Sequence, residues 1–381
     1  MVRRRLTPIL LSAALILTAW VAAAPAQTVP DEATMAAYRA KLAAWERVHG
    51  PYARVADAYW DQVSDKRKIR NAKRRAHEPM TLDDYVLTQP PAYDGPPRPA
   101  DPSAPPAPER APIPVLADFI KAAADEFGFV PDLPHSDGEF KQAYAMAASA
   151  AGLTRDQAVG VYAFETGGRG SFDTQAGVTA TRSKPISPAL GYNQLLSTNT
   201  VSLLAEFGNR YLAAMHQKAV MLRGEKRHAF DRKVEALKRM IAYCRSVPAR
   251  WSEYDRLAKT TTGGWGVHAA VLDIDIGPLL QVQKLVDSVR FARAKGHNAP
   301  LSAAELELMN LTGDGNGIDM VTMPEALRRR VPTANFFQPN GYWRNPIAKR
   351  TGVVANLIAE IEASMQREAQ SPGAKDLAAA F

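Results

Sequence analysis

The chain has 381 residues, 46% of them hydrophobic and 23% charged, enough apolar material for a core in one large or two modest domains. Its formal charge of +8 suits an anionic partner without choosing one. A single cysteine, Cys244, excludes an internal disulfide. With seven scattered histidines it also makes a Cys/His metal cluster unexpected, so neither a metal nor a cofactor is anticipated.

Residues 1–26 have the make-up of an export signal. Arg3, Arg4 and Arg5 form a positive start, Ile9 to Ala23 is apolar apart from Ser12 and Thr18, and Ala24–Pro25–Ala26 offers small residues at a cleavage site. The apolar run is short of the roughly 20 residues that span a bilayer, so cleavage after Ala26 is favoured over a retained anchor. Without the three arginines the formal charge falls from +8 to +5. The expected location is a bacterial periplasm.

An N-terminal helical segment is expected over 27–88. Met35, Tyr38, Leu42, Trp45 and Val48 recur at helical steps, His49–Gly50–Pro51 should break the run, and a second piece carries Val55, Tyr59, Trp60 and Val63. Seven of the ten residues from Lys66 to Arg75 are basic. In an exported protein nucleic acid is not the expected partner; a solvated helix face comes first, and a patch for anionic lipid or wall polymer second. Eleven of the twenty-five residues from Pro90 to Pro114 are proline, which reads as a semi-rigid linker over 89–115.

The main domain, 116–372, reads as all-α or nearly so, followed by a tail at 373–381. Ser136 with Glu139 and Thr154 with Gln157 are capping boxes that open two helices. Gly167–Gly168 stops the second, which leaves Glu165 in its last turn. Further helices are expected at Thr200–Leu222, Glu225–Arg245, His268–Lys295, Ser302–Asn310 and Ala348–Glu368.

Glu165 is the candidate catalytic group. Tyr162 and Phe164 can desolvate it, and the negative end of its own helix dipole opposes ionisation, so it can hold a proton near neutral pH. The competing structural role is a helix end paired with Arg169. Asp314–Asp319 has some calcium-loop character, but its oxygens are misplaced for that loop and a glycine-rich turn is favoured. Asp273 and Asp275 could add a carboxylate to a cleft or simply start a helix. His268 carries no assigned role.

The stretch that follows Glu165 resembles the soluble lytic transglycosylases of the lysozyme superfamily. Glu165–Thr166 stands where that family has Glu-Ser. Phe172–Asp173 with Ala176 matches its second segment, and Ala189–Leu190–Gly191–Tyr192–Asn193–Gln194 matches its Ala-x-Gly-Leu-Met-Gln segment. The resemblance covers roughly 136–200. The spacing from Glu165 to Gln194 is about ten residues longer than the family's, and its later Ala-Tyr-Asn-Ala-Gly motif is replaced, if at all, by Ala334–Phe337 or Asn340–Trp343.

The resemblance implies a lysozyme-like fold and cleavage of the bond between N-acetylmuramic acid and N-acetylglucosamine in peptidoglycan strands. Glu165 would act as both acid and base, giving a 1,6-anhydro product without a second carboxylate. Gln194 and Asn193 would contact sugar or position the glutamate, and Thr166 would stand for the family's serine. Tyr192, Tyr342 and Trp343 are candidates for stacking on sugar. If water is admitted, the same fold is a hydrolytic muramidase, with Asp173 able to position the water. The remaining alternatives are a non-catalytic wall-binding or scaffolding protein and a basic exported protein that docks on anionic lipid through Lys66–Arg75.

Overall fold

A computed structural model describes residues 30–105, 112–179 and 181–381; the expected export signal lies outside these. The described chain is helical, with only isolated β-bridges such as Gln175 to Leu190 and Leu190 to Leu195. Helix α1 (Glu32–Arg75) runs through Pro51, where a break is expected from sequence. The proline removes one backbone donor, but the carbonyl it releases, at Arg47, lies on an exposed stretch that water can serve.

Next come α2 (Leu116–Phe127), α3 (Asp137–Ala150), α4 (Arg155–Thr166), α5 (Ser197–Val220) and α6 (Gly224–Cys244). They are followed by α7 (Trp251–Thr260), α8 (Thr262–His268), α9 (Gly277–Ala294), α10 (Ala303–Thr312) and α11 (Asp314–Val321). The short turns α12 (Glu325–Arg328), α13 (Pro339–Arg344) and α14 (Pro346–Thr351) lead to α15 (Val354–Glu368) and α16 (Pro372–Ala379).

Two expected helices are divided. Around Asp273 the chain passes from α8 through a 3-10 turn to α9, because the Asp273 carboxylate accepts from the amides of Asp275 and Ile276 and replaces helical bonds there. Gly352, at φ 72°, separates α14 from α15. The expected tail is also different: Ala374 and Leu377 of α16 are buried.

The chain forms two compact units. In the first, Met1–Ala53 with Tyr93–Arg110, the proline-rich segment is laid on an aromatic stripe of α1. Tyr93 packs on His49 (5.1 Å) and Tyr52 (4.9 Å), Trp45 stacks on His49 (4.1 Å), and the Arg98 guanidinium sits 5.7 Å from the Trp45 ring centre. Extended proline-rich chain has no hydrogen bonds of its own to protect, so it can pack on such a stripe instead of acting as a bare linker.

In the second unit, Arg54–Ala92 with Ala111–Phe381, the basic run is largely turned inward. Arg70 is 1% exposed; it donates to the carbonyls of Asp84 (2.9 Å) and Asn335 (3.0 Å) and lies over the Tyr85 ring. Arg67 donates to the Phe337 carbonyl (2.8 Å), Lys73 pairs with Asp84 (2.8 Å), and Arg74 pairs with Asp319. Arg67 and Arg70 fasten the second half of α1 to the 330s loop, and Lys73 and Arg74 tie it to Asp84 and to α11, which neither a solvated face nor an open polyanion patch requires. Lys68, paired with Asp65 at 2.8 Å, remains on the surface.

Two hydrophobic clusters fill this unit. One is built on α3, α4, α10 and α15 around Phe140, Val161, Leu306 and Ile361. The other is built on α2, α5, α6 and α8 around Phe119, Leu204, Met240 and Val267. Helix α9 belongs to both, giving Val282 and Leu285 to the first and Leu280 to the second. Among the described residues, no helix is long and apolar enough to cross a membrane.

Candidate active site

Local sequence places Glu165. The Thr154 hydroxyl accepts from the Gln157 amide (3.2 Å) while the Gln157 side chain accepts from the Thr154 amide (2.9 Å), so α4 begins at a fixed point. At its other end Gly167 and Gly168 take φ of 66° and 62°, a left-handed pair that releases the chain one residue after Thr166. The Ser371 hydroxyl at the start of α16 donates to the Gly168 carbonyl (2.6 Å), and a Cβ on Gly168 would lie 2.5 Å from the Glu368 carbonyl oxygen. The C-terminal helix therefore buttresses the turn behind the glutamate.

Sequence alone did not single out the residue that faces it. Helix α10 brings Glu307 and Asn310, one turn apart, against the end of α4. The Asn310 amide donates to Glu165 Oε1 at 2.8 Å. Glu307 is fully buried, and neither of its oxygens meets a fixed donor in hydrogen-bonding geometry. Its carboxyl lies beside that of Glu165, close enough to share a proton, with Lys284 of α9 as the nearby cation.

Burial pushes Glu165 up to about 7 from an ordinary glutamate, against the lowering effects of the hydrogen bonds from Glu307 and Asn310 and of Lys284. Glu307 is raised further, by burial first and by the Glu165 charge second. Two adjacent buried carboxyls cannot both ionise near neutral pH, so they titrate as a unit that retains at least one proton. A retained proton at a helix end is what an acid catalyst requires. Tyr162, one of the two residues expected to desolvate Glu165, points into the core and donates to the Gly170 carbonyl (2.6 Å).

Beyond Lys284 lies a cavity of about 250 Å³ at the seam between the two hydrophobic clusters. It is lined by Asn199 and Glu206 of α5, Trp251 of α7, Asp287 and Phe291 of α9, and Asp314 of α11. Trp251 is 56% exposed, an aromatic face open to a ligand. Burial raises Asp287 to about 6, although the Gln283 amide donates to it (2.7 Å) and Arg290 and Lys284 are near.

Compared with family models, curated proteins and solved structures, the chain matches none.

The other sequence-derived site residues are placed differently from Glu165. Tyr192 is fully buried; its hydroxyl donates to Asp137 (2.8 Å) and its ring meets those of Phe140, Tyr144 and Tyr162, so it has no face to offer a sugar. Asn193 is also buried, accepting from the Tyr144 hydroxyl (3.0 Å) and donating to the Gln281 carbonyl (3.0 Å). Tyr342 is buried against Trp60 and Phe337. All three are core residues, held by the ring packing and hydrogen bonds just named.

Gln194, at φ 42°, donates to the carbonyls of Thr174 (3.1 Å) and Gly191 (2.8 Å) and ties the turn rather than the glutamate. The Thr166 hydroxyl donates back to the Tyr162 carbonyl (2.7 Å), leaving its oxygen free only as an acceptor. Both remain partly exposed. The Asp173 carboxylate is met by the Ser171 hydroxyl within the turn after Gly170. The extra length before Gln194 is a closed excursion: Ile186 donates to the Ala176 carbonyl (2.9 Å) and Ala176 to the Ala189 carbonyl (3.1 Å) at its base.

The remaining polar candidates are structural. Asp273 is buried and paired with Lys233 (2.9 Å), which also holds Asp275 (2.9 Å). Asp314 opens α11 and accepts from the Ser288 hydroxyl (2.6 Å), so the calcium-like stretch is a helix. Among the described residues, no cluster of acidic, histidine or cysteine side chains is placed to hold a metal ion. Buried His268 is held neutral, at about 4; its Nε2 faces the Pro188 carbonyl (2.8 Å) and so carries the proton, leaving Nδ1 to accept from Thr200 (2.8 Å). It braces the loop against α5. Of the two stand-ins for the missing third motif, Ala334–Phe337 is internal: Asn335 is fully buried and exchanges hydrogen bonds with the Val86 backbone (2.9 and 2.8 Å), whereas in Asn340–Trp343 only Tyr342 is buried.

Proposed function

We propose that the protein is an exported, lysozyme-like lytic transglycosylase that cleaves peptidoglycan strands, with Glu165 as acid and then base. The observation that carries the reading is the proton-retaining pair of Glu165 and Glu307 beside a polar cavity with an exposed tryptophan. Glu165 protonates the glycosidic oxygen as the bond to the muramoyl C1 breaks. The carboxylate it becomes is stabilised by the Asn310 amide at 2.8 Å and by a proton on Glu307. It then accepts the proton of the muramoyl 6-hydroxyl, whose oxygen closes on C1.

Glu307 does not turn this into paired-carboxylate hydrolysis. Carboxyls that flank a scissile glycosidic bond stand roughly 5–9.5 Å apart to admit a sugar or a water, whereas these two lie side by side and influence each other's ionisation. The role of Glu307 is to supply or hold a proton while Glu165 works. A hydrolytic variant draws support from one feature, Asp287, whose raised carboxyl lines the cavity and could orient a water. Purified peptidoglycan sacculi test the common claim: the mature chain should solubilise them and Glu165→Gln should lower the rate at least a hundredfold. Equal rates would reject Glu165 as the acid, and no release by the wild type would reject the enzyme reading.

A further inference from the structure

A second, larger cavity, of about 940 Å³, opens at the far end of α9, a volume in the range of small-ligand sites. It is lined by Arg74 and Arg75 from the end of α1, Arg293 and Lys295 from the end of α9, and Asp319 of α11. Arg74 and Asp319 neutralise each other in an ion pair. Among the described residues, Arg75, Arg293 and Lys295 have no carboxylate partner, and the only other acid in the lining is Glu78. Cations at helix C-termini favour those ends by themselves. Cations from two helices gathered around one cavity go beyond that compensation, because they repel one another unless an anion lies between them.

The walls are not purely polar. Met80, Ile318, Met323 and Pro324 also line the cavity, which suits a chain with apolar segments more than a bare inorganic ion. The cavity is joined to the candidate active site by a single helix face. Lys284, Phe291 and Lys295 follow at steps of seven and four residues, so they lie in one row along α9. Lys284 and Phe291 line the cavity near the acid pair, and the Lys295 ammonium rests 5.4 Å from the Phe291 ring centre while lining the second cavity. At 1.5 Å per residue the two lysines are about 16 Å apart along the helix.

We propose that this cationic cavity is an accessory subsite for the carboxylates of the peptide arms that branch from the glycan strand. The inference rests on the transglycosylase reading for the identity of the polymer. The cavity itself, as a carboxylate-binding site, does not. A glycan lying against Trp251 and Lys284 would carry its peptide past Phe291 to Arg75, Arg293 and Lys295, where two or more acidic groups replace the missing counter-charge. The end of the basic run thus takes part in recognition, while its middle is structural.

The full mature chain and Arg75→Glu/Arg293→Glu test this. Both positions are exposed, so the double reversal leaves the packing of the core intact. Titration with the peptide Ala-Glu-Glu-Ala, against Ala-Gln-Gln-Ala amide as neutral control, should show binding of the acidic peptide only. It should weaken at least tenfold in the variant and with added salt. Cleavage of peptide-bearing strands relative to the same strands stripped of peptide should fall severalfold in the variant. Acidic-peptide binding that is absent, or equal in both proteins, overturns the site. If the peptide binds as expected but neither protein cleaves any strand, the transglycosylase reading fails and the anion site stands. An unchanged cleavage ratio in active proteins rejects its role in substrate recognition.

Discussion

Removing the acid pair should change how stability depends on pH. The perturbation is Glu165→Gln/Glu307→Gln, which preserves volume and hydrogen-bonding capacity while abolishing both titrations. Glu165 rises from 4.5 to about 7 on folding, and Glu307 is raised further. A raised carboxyl means that the folded state binds more protons than the unfolded chain between these values, so stability falls as pH rises through that window. Its contribution is fully present below about 4.5 and lost above the folded value. For Glu165 alone the loss is about 3 kcal/mol. Glu307 extends the decline to higher pH. Asp287 and Asp319 are also raised by burial and give both proteins a common slope, which cancels on subtraction. Urea unfolding at pH 5 and pH 8 measures the difference. The wild type should lose at least about 3 kcal/mol more than the double variant between these pH values, because Glu307 also gives up its contribution over this window. Parallel losses would refute a proton held by this pair.

Three further outcomes follow from named contacts. Asn310→Ala removes the donor that stabilises ionised Glu165, so the alkaline limb of the pH–rate profile should move up by about 0.5–1 pH unit; a downward shift contradicts the assignment. Gly168→Ala forces a Cβ toward the Glu368 carbonyl at a φ of 62° and should cost about 2–4 kcal/mol by thermal unfolding, loosening the turn behind Glu165. Arg70→Ala leaves the Asp84 carbonyl without its donor and the Asn335 carbonyl with only Arg67 (3.2 Å), and should cost about 3 kcal/mol by the same assay, whereas a loss under 1 kcal/mol would place the residue in a solvated run.

What could be read from the chain was local. The Ser136 and Thr154 caps, the glycine stop after α4 and the placement of Glu165 in its last turn depend on residues three or four apart, where side chain and backbone meet through short-range geometry. Glu307 depends on tertiary packing: 142 positions separate it from Glu165. Its one local signal was a charge set between Leu306 and Leu308 on a helix whose opening, Ser302 to Glu305, was already satisfied as a cap. The same limit explains Tyr192, Asn193 and Tyr342, which have suitable chemistry for sugar yet are drawn into the core. It explains the basic run too, because composition reports charge but not that carbonyls of a distant loop wait to receive Arg67 and Arg70. The docking of α16 on the Gly168 turn likewise involves residues far apart in the chain.

The most direct test of the account is mass analysis of the products released from peptidoglycan by the mature wild type, Glu165→Gln and Glu307→Gln. The account predicts 1,6-anhydro-muropeptides from the wild type, none from Glu165→Gln, and the same products at a reduced rate from Glu307→Gln. Reducing-end products would replace the transglycosylase with a hydrolase. Anhydro products from Glu165→Gln would contradict the central claim.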